Sequence, residues 1–537
     1  MTIAGLLSVI IISAGIWLVV YEKEGTVQPL RGGVFVEGVV GNPQVINPLY
    51  ARNNSVEEDA VRLVFAGLVK MGPGRDFLPD LAESWEVQNK GKTYTFKLRE
   101  NLKWSDGEKL TADDVVFTVD IIKDESYTGP YQSDWSGITA TAIDPRTVKF
   151  DLPDPSTFFL ARTTLGIIPK HMFAHLPVAE IGDLKNNKDI VGAGPYQVAS
   201  VTGSEQLTLS PNLYYYQGHT LIEKIVFSSF DSEKPMLNAL VNGNITAAGF
   251  ATSVAQDVTN LPNINQYVYH LPQYKAVFFN QMSANKVLAD VTVRKALALA
   301  TDKERIIKDA DDGYAVRADS PILPGFWGYL PEMKKYDFDI TSAATALTQA
   351  GWKDTDGDKI LEKNKVKLSF TLSFKDDKSN TAIAKVLSEN WGNIGVEVKL
   401  NPLNSNDLVN QIIRPRNYEA LIFGQSMGAD SDPYLYWHSS QTADPGLALS
   451  VMYDKDVDNA LEMVRLSSDL NRAIGYLHNF QNAFAAGVPA ILLYQPNYTY
   501  LVDSKVKGVS AAINLGFTTD RFIDINQWYI RAKKTFS

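Results

Sequence analysis

Strand-like and helix-like hydrophobic periods alternate along this chain, and this feature restricts its possible folds more than any other. Tyr94, Phe96 and Leu98 alternate with polar residues, as the side chains of a half-buried strand do. The same two-residue period returns over 148–152 and over 366–372. These three segments predict β-strands.

Helix signals lie between the predicted strands. Thr111–Asp114 and Thr301–Glu304 have the capping-box pattern that starts many helices, and apolar residues follow each box at helical spacing. Gly351 and Gly392 each follow a helical pattern, at the position where glycine commonly ends a helix. Interleaved strands and helices predict an α/β fold, and we find no internal repeat.

The composition is that of a globular protein. Of the 537 residues, 45% are hydrophobic and 21% are charged, which excludes a disordered, collagen-like or multispanning membrane protein. The net charge of -10 argues against a nucleic-acid partner. Because the sequence has no cysteine, it forms no disulfide, thiolate metal site, cysteine nucleophile or lipid-modified cysteine. We expect no cofactor and no metal site.

One apolar run of 18 residues, Ile3–Val20, lies in the N-terminal region. A helix of this length spans about 27 Å, near the lower limit for crossing a bilayer, and Trp17 and Tyr21 suit the membrane interface. A cleaved signal peptide and a buried core helix are the alternatives, but the run lacks a basic flank and a small-residue cleavage site. We predict an uncleaved transmembrane anchor at 3–20 and a polar tether at 21–30.

Patterns typical of catalysis or metal binding are weak. Asp354, Asp356 and Asp358 resemble part of an EF-hand loop, but Gly357 occupies its fourth position and Lys365 its twelfth. We interpret this segment as a polar turn. No Gly-x-Ser-x-Gly elbow is present and no Ser/His/Asp set is distinctive, so an extracellular hydrolase has no motif in its favour.

A loop with two aspartates, Asp430 and Asp432, follows the strand-like residues 420–423. Asp432 precedes Pro433, which is the arrangement of an N-cap residue before the first residue of a helix. Asp430 has no such local function. A carboxylate at this position is suited to pairing with the ammonium group of a ligand.

Short motifs occur in a characteristic order from about residue 31 to about residue 530. They are Gly32–Phe35, Asn47–Leu49, Val64–Leu68, Leu78–Trp85, Tyr94–Gly107, Leu110–Phe117, Val191–Tyr196, Val293–Leu297, Thr301–Glu304, Pro321–Gly325 and Ala350–Trp352. Their order resembles that of the family 5 extracellular solute-binding proteins of ABC importers, which include oligopeptide- and dipeptide-binding proteins. The shared order is more specific than any single motif.

The resemblance implies an α/β fold of the type II periplasmic-binding-protein class, with two ligand-binding lobes and an extra lobe. The N-terminal transmembrane helix predicted from the apolar run is a departure from the family pattern. In this family two lobes close around a ligand about a hinge of two strands. We place the strand crossings near Tyr274–Asn280 and Ile491–Tyr500. The predicted lobes are lobe I (31–56, 166–276 and 500–537), lobe II, which is the extra lobe (57–165), and lobe III (277–499).

The resemblance also implies a receptor that is not an enzyme. Such proteins capture a solute and deliver it to the permease subunits of an ABC transporter, and a peptide is the expected ligand. In the peptide binders of this family an aspartate before an acidic-Pro pair binds the peptide amino terminus. Asp430 matches that aspartate, with one residue before the pair where two are common. Met427, Tyr434 and Trp437 are further candidates for the ligand site, although the two aromatic residues also suit core packing.

Other functions stay open on the sequence alone. The same fold accommodates a sugar oligomer, a metal chelate or another small organic solute. An anchored extracellular hydrolase would belong to an unrelated class, whereas a surface chaperone or an adhesion protein would use the same cleft. We expect a monomer that is held on the extracytoplasmic side of the cell membrane by the helix at 3–20.

Overall fold

The computed structural model describes residues 26–43, 45–51, 54–72, 76–182, 190–202, 206–251, 261–427, 432–467, 469–511 and 515–535. The predicted anchor at 3–20 and the first part of the predicted tether lie outside these ranges. Within them, no helix has both the length and the apolar character that crossing a bilayer requires. The end of the predicted tether, Thr26–Leu30, is a strand paired with Arg531–Thr535, because the far end of the chain supplies its backbone partners.

Strands and helices alternate through the described part of the chain. The strands are β1 (Thr26–Leu30), β2 (Val34–Val40), β3 (Val69–Met71), β4 (Phe77–Pro79), β5 (Ala82–Gln88), β6 (Thr93–Leu98), β7 (Thr139–Asp144), β8 (Thr147–Asp151), β9 (Tyr196–Thr202), β10 (Gln206–Pro211), β11 (Lys224–Phe230), β12 (Ala247–Phe250), β13 (Ile264–His270), β14 (Gln273–Phe279), β15 (Val316–Arg317), β16 (Glu362–Lys363), β17 (Val366–Lys367), β18 (Ser369–Lys375), β19 (Glu397–Leu403), β20 (Ala420–Ser426), β21 (Ala490–Gln495), β22 (Asn497–Asp503) and β23 (Arg531–Thr535).

The helices are α1 (Ser55–Val64), α2 (Ala112–Lys123), α3 (Phe159–Arg162), α4 (Lys170–Phe173), α5 (Val178–Ile181), α6 (Glu233–Val241), α7 (Val291–Leu299), α8 (Lys303–Asp311), α9 (Ile340–Gln349), α10 (Lys378–Gly392), α11 (Ser405–Asp407), α12 (Tyr434–Trp437), α13 (Lys455–Leu466) and α14 (Leu470–Gly487). Short 3₁₀ turns occupy Asn89–Gly91, Lys286–Ala289, Ser439–Gln441, Thr518–Phe522 and Ile525–Gln527, and a π-helical turn occupies Leu408–Ile413.

Three larger sheets organise these elements in the described residues. One sheet has the strand order β13-β22-β12-β2-β11-β10-β9, and a second, antiparallel sheet has the order β5-β6-β8-β7. The third has the order β15-β21-β14-β20-β18-β19. In this six-stranded sheet β18 runs parallel to β19 and β20, whereas β14 runs antiparallel to β20 and β21. Parallel strands with helices between them confirm the predicted α/β class.

Helices cover both faces of the six-stranded sheet. Val277 and Phe279 of β14 point into a core formed with α7 to α10, while Ala276 and Phe278 point into a second core formed with α13 and α14. The seven-stranded and four-stranded sheets share a separate large core. Because both of its faces are buried, the six-stranded sheet holds the ends of its strands in fixed positions.

Local predictions from the sequence agree with several elements. Strand β6 buries Tyr94, Phe96 and Leu98, as the alternating pattern predicts. The backbone N–H of Thr111 donates to Asp114 Oδ2 at 2.8 Å, which is the reciprocal bond of a capping box. The predicted strand at Tyr94–Leu98 and the predicted helix start at Thr111 are therefore confirmed.

One predicted helix start is displaced. Asp302, and not Thr301, accepts the N-cap hydrogen bond of α8, because the Thr301 hydroxyl donates to a carbonyl of the preceding helix. Gly392 is the last residue of α10, so this helix ends where the sequence predicts, and the left-handed residue beyond it is Gly395, with φ of +80°.

The chain passes between the seven-stranded and six-stranded sheets at two neighbouring points. Leu271 and Pro272 connect β13 to β14, and Pro496 connects β21 to β22. Gln495 Nε2 donates to the carbonyl oxygen of Leu271 at 2.7 Å, so the two passages are joined. We call Leu271, Pro272, Gln495 and Pro496 the crossing. The first passage lies just before the predicted range Tyr274–Asn280, and the second lies inside the predicted range Ile491–Tyr500. The division into lobes stays a prediction.

A second connection, formed by Thr157 and Phe158, joins the segment after the four-stranded sheet to the helices of the six-stranded sheet. Thr157 Oγ1 lies 2.8 Å from the carbonyl oxygens of both Val464 and Ser467, at the C-terminal end of α13. Phe158 is buried in the core of α13 and α14, with its ring centroid 5.6 Å from that of Trp327. We call this the 157–158 contact.

A buried charge cluster fixes the core of the seven-stranded sheet. The Arg521 guanidinium lies 2.9 Å from Glu37 Oε1 on β2 and 2.8 Å from Asp59 Oδ1 on α1. Tyr500 on β22 donates its hydroxyl to Glu37 Oε2 at 2.8 Å. All four side chains are buried, so each charge depends on its partners and not on water.

Candidate functional site

The carboxyl end of β20 has one unpaired edge near the crossing. On one side β20 pairs with β14 along its full length, from Ala420 to Ser426. On the other side β18 pairs only with Ala420 and Leu421. From Ile422 to Ser426 no strand of the described residues occupies that edge, and Gly424 and Ser426 are exposed. We call 422–426 the free edge.

Buried hydrogen bonds hold the free edge in place. Tyr274 donates its hydroxyl to Gln425 Oε1 at 2.9 Å, and Gln425 Nε2 donates to the carbonyl oxygen of Leu447 at 2.9 Å. The backbone N–H of Met427 donates to the carbonyl oxygen of Pro272, in the crossing, at 2.8 Å. The free edge is therefore fixed where the chain passes between the two sheets.

One face of this strand end is polar. Lys275 lies opposite Gly424 in the strand register, and its Nζ donates to Asn380 Oδ1 on α10 at 3.0 Å. The Ser379 and Tyr494 hydroxyl oxygens are 3.4 Å apart on the same side of the sheet. Sequence analysis missed these residues, because they come from four separate elements and no local pattern connects them.

The opposite face is apolar and contains two of the predicted site residues. Trp437 is 1% exposed, and its ring centroid lies 6.3 Å from Tyr274, 6.0 Å from Phe278 and 4.9 Å from Phe484. Met427 is also 1% exposed and belongs to the same core. In this structure both side chains pack against the apolar face at the carboxyl end of β20. Their contact with a ligand stays a prediction.

The aspartate loop is partly described. Asp430 lies outside the described residues, and its predicted role stays a prediction. Asp432 accepts the backbone N–H of Tyr434 at 3.0 Å and Arg465 Nε at 2.8 Å, so it stabilises the start of α12. Tyr434 is half-buried between Arg465, 3.8 Å from its ring centroid, and His438, 4.1 Å between centroids. Of the two aromatic residues predicted for the site, Tyr434 is therefore partly exposed, whereas Trp437 is buried.

A cluster of carboxylates lies apart from the free edge, in the turn between α9 and β16 and at the first residue of β16. Carboxylate oxygens of Asp354, Asp356, Asp358 and Glu362 lie within 4.8 Å of one another. Sequence analysis identified the three aspartates and missed Glu362. Lys367 Nζ lies 3.1 Å from Asp356 and also pairs with Asp358, so a lysine already offsets part of this charge.

The two sheets with neighbouring passages between them have the fold of the periplasmic-binding-protein class. The model of the family described as bacterial extracellular solute-binding proteins, family 5 (middle), matches residues 76–446. The chain therefore belongs to this family, which confirms the resemblance inferred from the order of motifs.

Several relatives resemble most of the chain. The oligopeptide-binding protein AppA of Bacillus subtilis is 27% identical over 499 residues, which cover 90% of this chain and 90% of AppA. The solved structure of CtaP from Listeria monocytogenes is 29% identical and covers 93% of this chain and 99% of its own, with a TM-score of 0.79. NikZ from Campylobacter jejuni, solved with Ni(L-His), is 25% identical and covers 92% of this chain and 99% of its own, with a TM-score of 0.74.

Proposed function

We propose that this protein is the receptor of an ABC importer and that it captures peptides at the free edge. The unpaired backbone of 422–426 is the observation that supports this most directly. A peptide main chain can add to such an edge through backbone hydrogen bonds, which require no particular side chain. AppA is an oligopeptide-binding protein, and its solved structure contains a nonapeptide. The protein binds and releases its ligand without altering it.

The crossing suits a receptor that closes around its ligand. A few residues between rigid sheets absorb the change of angle when two bodies rotate, and the ligand stabilises the closed state by touching both bodies. Proline at 272 and at 496 leaves each passage without one backbone donor, so fewer hydrogen bonds oppose the rotation. The permease subunits would then recognise the closed form.

A non-peptide solute is the second candidate ligand. It is supported by NikZ, which has the same fold and is solved with Ni(L-His). The two candidates differ in what they require of the free edge, since a metal chelate has no extended main chain to pair with it.

Replacing Gly424 with leucine tests peptide capture. The nearest atoms to a Cβ at this position are 3.9 and 4.0 Å away, so the variant is expected to fold, while its side chain would fill the exposed space above the strand end, on the face that Lys275 shares. We expect affinity for penta-alanine, measured by calorimetry on the full chain in detergent, to fall at least about tenfold, because this side chain crowds a peptide that lies along the free edge.

The matched control is Gly392→Leu, which adds the same side chain to an exposed helix end where nothing lies within 4 Å. This variant should bind penta-alanine as the unaltered protein does. Unchanged affinity in Gly424→Leu would contradict capture at the free edge. Binding of Ni(L-His) but of no peptide would favour the second ligand class.

We also propose that residues 3–20 hold the protein at the outer surface of the cell membrane. The support is the apolar composition of this run, together with the absence of any cysteine that a lipid could modify. We expect the full-length chain in the membrane fraction, released by detergent and not by salt or alkali. Release without detergent, or a mature N-terminus near residue 25, would show that the run is not an anchor.

A further inference from the structure

Lys275 lies on β14, across β20 from the free edge, and its side chain extends over the face of β20 at Gly424. In the strand register it is opposite Gly424 of β20 and Tyr494 of β21. Residues that are directly opposite in a sheet point to the same face. Lys275 Nζ is 3.9 Å from the position that a Cβ of Gly424 would occupy. The ammonium group therefore lies above β20, one strand away from an added peptide main chain, and a ligand group that extends over this face can meet it.

The charge of Lys275 has no counter-charge in contact among the described residues. Its side chain is half-buried, and the hydrogen-bond partner of Nζ is the neutral amide oxygen of Asn380, at 3.0 Å. Burial lowers the pKa of Lys275, because the ammonium loses water, while the more distant charges of Asp377 and Lys375 act in opposite directions. A charge in such a place is stabilised by any anion that reaches it.

The groups around Lys275 add further hydrogen-bond donors. Ser379 precedes Asn380 on α10, and Tyr494 is the strand neighbour of Lys275, so their two hydroxyls face the same region. An ammonium and two hydroxyls match the needs of a carboxylate, which accepts several hydrogen bonds.

We propose that Lys275 makes the site select ligands with a carboxylate placed next to the main chain that binds the free edge. This inference rests on the proposed peptide capture and names the kind of peptide that is preferred. The carboxylate is either the C-terminal group of a short peptide or the side chain of an acidic residue, and both present the same chemistry to Lys275.

Binding of four tripeptide probes to the full chain in detergent distinguishes the two sources. The probes are Ala-Ala-Ala, its C-terminal amide, Ala-Glu-Ala amide and Ala-Gln-Ala amide. We expect the unaltered protein to bind at least one carboxylate probe about tenfold more tightly than its neutral counterpart. Preference within the first pair assigns the C-terminus, and preference within the second assigns an acidic side chain.

The variants Lys275→Met and Lys275→Arg then test the residue. Lys275→Met should lose the preference, whereas Lys275→Arg should keep it, since it retains the charge. Lys375→Met removes an exposed lysine nearby and should leave the preference unchanged. A melting curve for each variant separates loss of folding from loss of selectivity.

Each other outcome overturns the inference. If the unaltered protein binds all four probes equally, or if Lys275→Met weakens charged and neutral probes alike, Lys275 does not select for a carboxylate although peptide capture stands. If no peptide binds the unaltered protein, the proposed function is wrong, and the selectivity that rests on it is wrong as well.

Discussion

Replacing Arg521 with methionine is expected to lower the free energy of unfolding by about 3 to 5 kcal/mol, the usual effect of removing one partner from a buried ion pair. The guanidinium contacts both Glu37 and Asp59, and all three side chains are buried. Methionine fills a similar volume without charge, so two buried carboxyl groups lose the cation between them. Urea denaturation of the unaltered and variant proteins measures the difference.

The pH dependence of this loss follows from the carboxyl groups. Burial raises the pKa of Glu37 from its ordinary 4.5 to about 7, although Arg521 opposes the shift, and burial also raises the pKa of Asp59. Between about 4.5 and about 7, folded Glu37 keeps a proton that the unfolded chain has released, so its contribution to stability falls as the pH rises.

Without Arg521, only the hydrogen bond from Tyr500 opposes the effect of burial on the pKa of Glu37, and the folded protein depends still more on protonated carboxyls. The variant should therefore lose more stability at pH 8 than at pH 5. Arg305→Met, which removes an exposed ion pair with Glu389, should have little effect at either pH. An equal loss at both values of pH, or a loss no larger than that of the control, would contradict this account of the cluster.

Replacing Asp430 with asparagine is expected to weaken binding of peptides with a free amino terminus by about 10- to 100-fold. This corresponds to loss of a charge-assisted hydrogen bond. The same peptides with an acetylated amino terminus should bind the variant and the unaltered protein equally, because they have no ammonium group. Calorimetry with matched free and acetylated tripeptides measures the selectivity.

The neighbouring aspartate provides the control. Asp432 already bonds to Arg465 and to the start of α12, so Asp432→Asn should weaken folding and affect free and acetylated peptides alike. Equal weakening of both peptides by Asp430→Asn would show that Asp430 does not bind the amino terminus. If only Asp432→Asn weakens peptide binding, this segment serves to stabilise the loop and not to bind the amino terminus.

The sequence predicts those elements whose signals are local. Strand β6 follows from three alternating residues, and α2 follows from a capping box. The prediction of one strand over 366–372 is partly wrong because Val366 is an exposed apolar residue. Val366 belongs to a separate hairpin and is 51% exposed, whereas the buried alternation starts at Leu368. Periodicity alone does not distinguish a hairpin residue from the next strand.

Long-range groupings could not be predicted in this way. Glu37 and Arg521 are 484 residues apart, and Lys275 and Asn380 are 105 apart. Neither pair has a characteristic spacing, because only the order of strands in the sheets brings the members together. The aspartate loop was visible as a motif, whereas the lysine on the polar face of the same strand end was not.

The 157–158 contact has a kinetic consequence. In the proposed hinge motion, the two bodies rotate about the crossing. A contact between these bodies that lies away from the rotation axis must therefore change. Opening would then break the hydrogen bonds of Thr157 to the end of α13 and separate Phe158 from Trp327. The residence time of a ligand would therefore depend in part on two residues outside the free edge.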